Sequence, residues 1–119
     1  MLKFKKLFYN NKTYNLPSTI KKILVSKQLT WLLDAEIENA IIEIIDSRLI
    51  WHMGTWYKGH WHGNIWKDGI WKSGHWHDGI WEDGIWYNGV WMNGTWKNGV
   101  WKKGVWKNGE KQNTYSIRI

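Results

Sequence analysis

Residues 91–110 read WMNGTWKNGVWKKGVWKNGE, with a tryptophan at every fifth position and a glycine three residues after each one. A period of five matches neither the 3.6-residue turn of an α-helix nor the two-residue alternation of a flat strand. The pattern extends upstream: from Trp51 to Trp106 every fifth residue is Trp, which makes twelve W-x-x-G-x repeats over residues 51–110. Eleven of them keep Gly in the fourth place. The exception is WHGNI at 61–65, where Gly63 comes one place early and Asn64 occupies the glycine slot, a residue that tolerates positive φ better than most. Asn-Gly and Asp-Gly dipeptides, as at 68–69, 83–84, 93–94 and 108–109, are strong turn signals. A turn every five residues predicts a chain that bends at regular intervals and coils, with only short extended segments between corners.

The slots also indicate which side faces inward. In the extended segment around each Trp, Gly and Trp point one way. The Ile or Val before Trp and the Lys, His or Glu after it point the other way. Burying the second set would bury lysines, whereas burying Trp with Gly buries no charge and lets the smallest residue make room for the largest. A row of twelve exposed tryptophans would form an apolar patch far larger than a monomer tolerates, so the tryptophans read as core.

The W-x-x-G-x pattern resembles the pentapeptide-repeat proteins, whose motif places a small residue two positions before a central large apolar one. Gly takes the small slot here and Trp the central slot. AEIENAIIEI at 35–44 matches the ordinary form of the pattern twice, with Ala35 and Ala40 in the small slot and Ile37 and Ile42 in the central one, before a break in register between 44 and 51. The resemblance implies an all-β, right-handed, four-sided β-helix with four pentapeptides per coil, hence about three Trp-cored coils. Similar W-x-x-G-x runs occur in uncharacterised phage and bacterial proteins, which implies a component of a larger assembly such as a virion, located there or in a host cytoplasm.

On that basis residues 1–34 read as an N-terminal cap, 35–110 as the β-helix and 111–119 as a C-terminal capping strand. Within the cap, residues 2–17 form a hairpin turning at Asn10 and Asn11, and Pro17 ends it. Residues 16–30 are either a short helix starting near Ser18 or a strand turn. DAEIENAIIEIID at 34–46 reads as strand from its isoleucine content, or as a helix with Asp34 as N-cap. TYSIRI at 114–119 alternates as a closing strand.

Composition bounds the function. The 119 residues suit one domain, and the absence of Cys excludes disulfides and thiolate metal sites. No apolar run is long enough for a membrane span or a signal peptide, so the chain reads as soluble, with no membrane partner. The net charge of +7, from 17 Lys and Arg against 10 Asp and Glu, permits attraction to nucleic acid or glycan. The charge is spread along the chain, however, and only Arg48 and Arg118 supply a guanidinium.

All five histidines lie between 52 and 77, including HWH at 60–62 and 75–77. In a four-sided coil these pairs fall on neighbouring sides, which favours surface variation over a metal site. The carboxylates Asp68, Asp78, Glu82 and Asp83 occupy the same outer slots as lysines, with no buried acid–base pair, so neither catalysis nor a cofactor is expected. Twenty-residue columns stack Ile65, Ile85 and Val105 on one outer side, with Ile70 and Val90 on the next. Such a ladder reads either as a docking strip for a protein partner or a second copy, or as ordinary strand preference. Lys97, Lys102 and Lys107 beside it are the candidate cationic contacts. The favoured function is a non-catalytic structural or protein-interaction module. The alternative is a module binding carbohydrate or single-stranded nucleic acid through Trp and Lys.

Overall fold

The computed structural model describes residues 2–112, with the Leu2 side chain left aside. Strand β1 (Leu2–Tyr9) turns at Asn10 and Asn11, both at positive φ, into antiparallel β2 (Lys12–Tyr14). Helix α1 (Pro17–Ser26) follows. Proline at its start supplies a preset φ, Ile20 and Leu24 are buried one turn apart, and Gln28 at positive φ ends the run. A 3-10 turn, Thr30–Asp34, leads to β3 (Glu36–Ile45), which settles the choice at 34–46 in favour of strand.

The inward slots of β3 come out as the repeat pattern expects, with Ala35, Ile37, Ala40 and Ile42 all buried. The strand nevertheless runs antiparallel to β4 (Arg48–Lys58) instead of coiling. Asp46 and Ser47 both take positive φ and reverse the chain, and this two-residue hairpin turn is the break in register between 44 and 51.

From β4 onward the chain is a β-solenoid. Two-residue strands run from His60–Trp61 to Glu110–Lys111. Trp51 pairs in parallel with Trp66, Trp66 with Trp81, Trp56 with Trp71 and Trp61 with Trp76, so each coil takes fifteen residues, or three pentapeptides. The expected four-sided section of about three coils is therefore replaced by a three-sided section of about four.

The indole rings account for the triangular section. Around each coil, neighbouring rings meet edge to face with centroids 5.6–5.9 Å apart, as for Trp66 with Trp71 and Trp101 with Trp106. Along the axis they stack nearly parallel at 4.7–5.0 Å. Both are favoured aromatic geometries, and three rings about one axis satisfy them together. The tryptophans from Trp51 to Trp101 are at most 1% exposed, and only Trp106 in the repeats is half-buried. The ring N–H groups of Trp71 and Trp86 donate to the carbonyls of Asn88 and Lys103 at 3.1 Å. Eight other buried ring N–H groups, including those of Trp51 and Trp81, have no partner. Each unpaired N–H costs about 1–3 kcal/mol, less than the roughly 4–6 kcal/mol contributed by removing one indole from water.

The corners belong to glycine. Gly84, at φ +124°, sits so that an added Cβ would lie 2.4 Å from the Gly69 carbonyl oxygen of the coil before and 3.2 Å from the Trp66 ring nitrogen. The Asp83 carboxylate accepts the Gly84 N–H at 2.8 Å, and Asp68, Asp78 and Asn88 do the same at their own corners. The irregular repeat turns differently. Neither Gly63 nor Asn64 takes positive φ, and Gly63 is needed because a Cβ there would strike the Trp61 ring. Between coils, backbone bonds such as Thr95 N–H to Gly79 O and Lys97 N–H to Trp81 O, at 2.9 and 2.8 Å, hold each side.

The first coil is closed by the N-terminal segment. β3 covers the edges of the first two sides, and the 3-10 turn lays Trp31 edge to face on Trp61 at 5.5 Å over the third. β1 then pairs in parallel with β3. At the far end Lys111 replaces Trp in the repeat slot opposite Trp96, and its ammonium lies 4.7 Å from the Trp106 ring. The expected closing strand at 114–119 lies outside the described residues.

Two substitutions test the corner and the core separately. Gly84→Ala is expected to lose roughly 3 kcal/mol from strained φ and backbone overlap. Trp81→Ala is expected to lose about 3–5 kcal/mol from the cavity it leaves. Urea denaturation followed by far-ultraviolet circular dichroism measures both, and losses under about 1 kcal/mol contradict the stacked-corner geometry.

Candidate functional site: the outer faces of the coil

A fifteen-residue coil sorts the outward slots into three faces. On face 1, Ile50, Ile65, Ile80 and Thr95 precede the tryptophans in one column. On face 2 the column is Thr55, Ile70, Ile85 and Val100. On face 3 it is His60, His75, Val90 and Val105. The expected ladder of Ile65, Ile85 and Val105 is therefore dispersed, one residue to each face, because the columns repeat every fifteen residues and not every twenty. Ile70 joins Ile85 on face 2, and Val90 joins Val105 on face 3. Lys97, Lys102 and Lys107 likewise separate, each following the tryptophan of a different face.

The fifteen-residue repeat also sorts the charges by face. Face 2 carries Lys58, Lys72, Lys102 and Lys103 in its four pentapeptides and no carboxylate. Face 1 mixes Asp68, Glu82, Asp83 and Glu110 with Lys67 and Lys97. The position after Trp on face 2 reads Tyr57, Lys72, Tyr87, Lys102, an alternation of phenol and ammonium along the axis. Tyr57 and Tyr87 are exposed, and the Lys72 ammonium lies 4.1 Å from the centroid of the Tyr87 ring. Lys58, at the N-terminal end of the face, pairs with Glu36 of β3 at 3.5 Å.

Face 3 gathers the histidine pairs. They lie on one side of adjacent coils, not on neighbouring sides as the four-sided reading placed them. His60 and His75 stack at 4.7 Å, His62 and His77 at 4.2 Å, and His60 Nδ1 is 2.8 Å from His77 Nε2. Burial, and then the neighbouring imidazoles, hold His62 and His77 below their ordinary value. Among the described residues no group of three or more His, Cys, Asp or Glu side chains is placed to hold a metal ion. The remaining histidine, His52, contacts Glu43 at 2.7 Å across β3 and β4.

Elsewhere, an open groove of about 900 Å³ lies between the two hairpin turns, lined by Asn10, Lys12, Lys27, Glu43 and Asp46 among others. Its carboxylates and ammoniums are those of ordinary turn surfaces, and no polar or charged side chain is buried among the described residues. No helix among them is long and apolar enough to cross a membrane.

No protein-family model, curated protein or solved structure matches this chain. The chain is a β-solenoid with five-residue repeats and a tryptophan in each from Trp51 to Trp106, consistent in repeat length with a pentapeptide-repeat-like fold.

The histidine cluster sets a pH dependence. Because the folded state disfavours protonation of His62 and His77, the unfolded chain binds more protons once pH falls below their ordinary value of 6.5. Stability is therefore full above that value and declines as pH drops through the lowered folded values. Thermal midpoints recorded between pH ~8 and ~5 are expected to fall, and to fall less in His77→Gln.

Proposed function

We propose that this chain is a non-catalytic structural and protein-interaction module: a short, stiff rod that presents flat β-faces within a larger assembly, such as a virion. The supporting observation is the complete burial of the tryptophans from Trp51 to Trp101. The residue that dominates the repeats is used up by the core, so recognition falls to the outward slots. Those slots form straight ladders whose spacing is set by the backbone, and they vary freely in sequence because no packing constrains them. The antiparallel β3 and the segment behind it close one end, so the rod does not extend by coil-on-coil addition there.

We also place the chain beside the pentapeptide-repeat proteins, as a W-x-x-G-x variant with a narrower coil. The non-catalytic reading is supported by the setting of the carboxylates and histidines, none of which is fully buried among the described residues. The histidine cluster also lies on an outer face of the coil, with no carboxylate among those residues paired to it. A stacking platform built from Trp is not supported, since those rings lie inside.

The test places a photo-crosslinking residue at Ile80, Ile85 or Val90, one on each face, in the full chain within its native cells. The expected outcome is a crosslink to one defined protein from one face, lost when an aliphatic neighbour in the same column is changed to Lys while the thermal midpoint holds. Crosslinks from all three faces to unrelated proteins, or from none, overturn the reading.

A further inference from the structure

We infer that face 2 is a docking surface for a linear glycan in which charged and neutral sugars alternate. The inference rests on the reading above only in taking the outer faces as the working surface. The Tyr57, Lys72, Tyr87, Lys102 column carries it.

Three features of that column select the ligand. First, its rungs follow the coil spacing, 4.7–5.0 Å between stacked indoles, which is about the length of one pyranose in an extended chain. Second, phenol and ammonium alternate, so equivalent groups recur every second rung. A disaccharide repeat has that period: the carboxylate of each acidic sugar meets an ammonium, and the C–H face of each neutral sugar meets a tyrosine ring. Third, the adjoining corner column offers the Ser73 hydroxyl and the Asn88 amide N–H groups, both on exposed residues, to sugar hydroxyls, the Asn88 Oδ1 being taken by the Gly89 N–H.

The Lys72 ammonium lies along the ladder against the Tyr87 ring at 4.1 Å, so the cation is held near the face before any ligand arrives. The charge balance agrees along Lys72, Tyr87 and Lys102, since face 2 has lysines and no carboxylate within its pentapeptides while face 1 mixes both signs; Glu36 and Glu38 of β3 adjoin only its Tyr57 end. Single-stranded nucleic acid fits less well. It places a charge on every unit, and the tryptophans whose faces would stack its bases are buried.

Isothermal titration calorimetry of the full chain at low ionic strength tests this with a hyaluronan octasaccharide, in which glucuronate alternates with neutral N-acetylglucosamine. Binding is expected. Lys72→Gln and Lys102→Gln are each expected to weaken it about tenfold, as is appropriate for a lost charged hydrogen bond, and Tyr57→Ala to weaken it measurably. Lys67→Gln and Lys97→Gln on face 1 serve as controls expected to change nothing. Circular dichroism melts of each variant separate lost binding from lost fold. Absence of binding to the octasaccharide overturns the proposal. Equal affinity for oligo(dT) or poly-L-glutamate, or equal weakening by the face 1 variants, also overturns it and leaves a surface that attracts any polyanion. The crosslinking experiment reports on a protein partner and this titration on a glycan, so either reading can fail while the other stands.

Discussion

The structure depends on the approach of one corner glycine to the glycine of the coil before it. At Gly84 the backbone occupies a region that L side chains rarely adopt, and the space a Cβ would need is filled by the Gly69 carbonyl. Because nothing projects there, successive coils close to the spacing at which a β-ladder bonds and flat rings stack. Any side chain at the corner would hold the coils apart, weakening the backbone ladder and the indole stack together. The aspartates and asparagine that accept the following glycine N–H hold the corner from outside, which explains why they recur immediately before glycine.

Given those corners, the tryptophans set the cross-section. Three indoles meeting edge to face fill the interior of a triangular coil, and their demand for contact outweighs the hydrogen bonds that eight of their N–H groups leave unmade. The core is thus selected for ring packing at some polar cost. Its uniformity has a further effect: the coils are interchangeable inside, so differences between them are confined to the outside. Charge sorting on face 2 and imidazole stacking on face 3 are both products of that freedom.

The two limits of the described ladder differ in what lies on the outermost ring. At the N-terminal end the hairpin at Asp46 and Ser47 reverses the chain, and β3 satisfies the first coil while β1 and the helix bury its outer surface. At the other end of the described residues, Lys111 takes the tryptophan slot and covers the last ring with its charge. With the N-terminal end covered in this way, the described coils present their three sides as the main regular surface.

Much of this was legible in the residues. The five-residue period, the inward Trp and Gly, the outward charges, the Asn10–Asn11 turn and the burial of Ala35, Ile37, Ala40 and Ile42 all follow from local rules: side-chain alternation, turn chemistry and the cost of burying charge. The number of sides did not follow, because it depends on how far each corner bends and on how many rings fit about one axis, which are properties of rings that are remote in sequence. That single number decided the rest of the surface. With fifteen residues per coil, Ile65, Ile85 and Val105 part company, His60 meets His77, and Tyr57, Lys72, Tyr87 and Lys102 fall into line. Sequence by itself determined what lies inside and what lies outside, since that is settled residue by residue by hydrophobicity and backbone freedom. Only the tertiary structure decided which outer residues are neighbours, since that is set by the packing of the core beneath them.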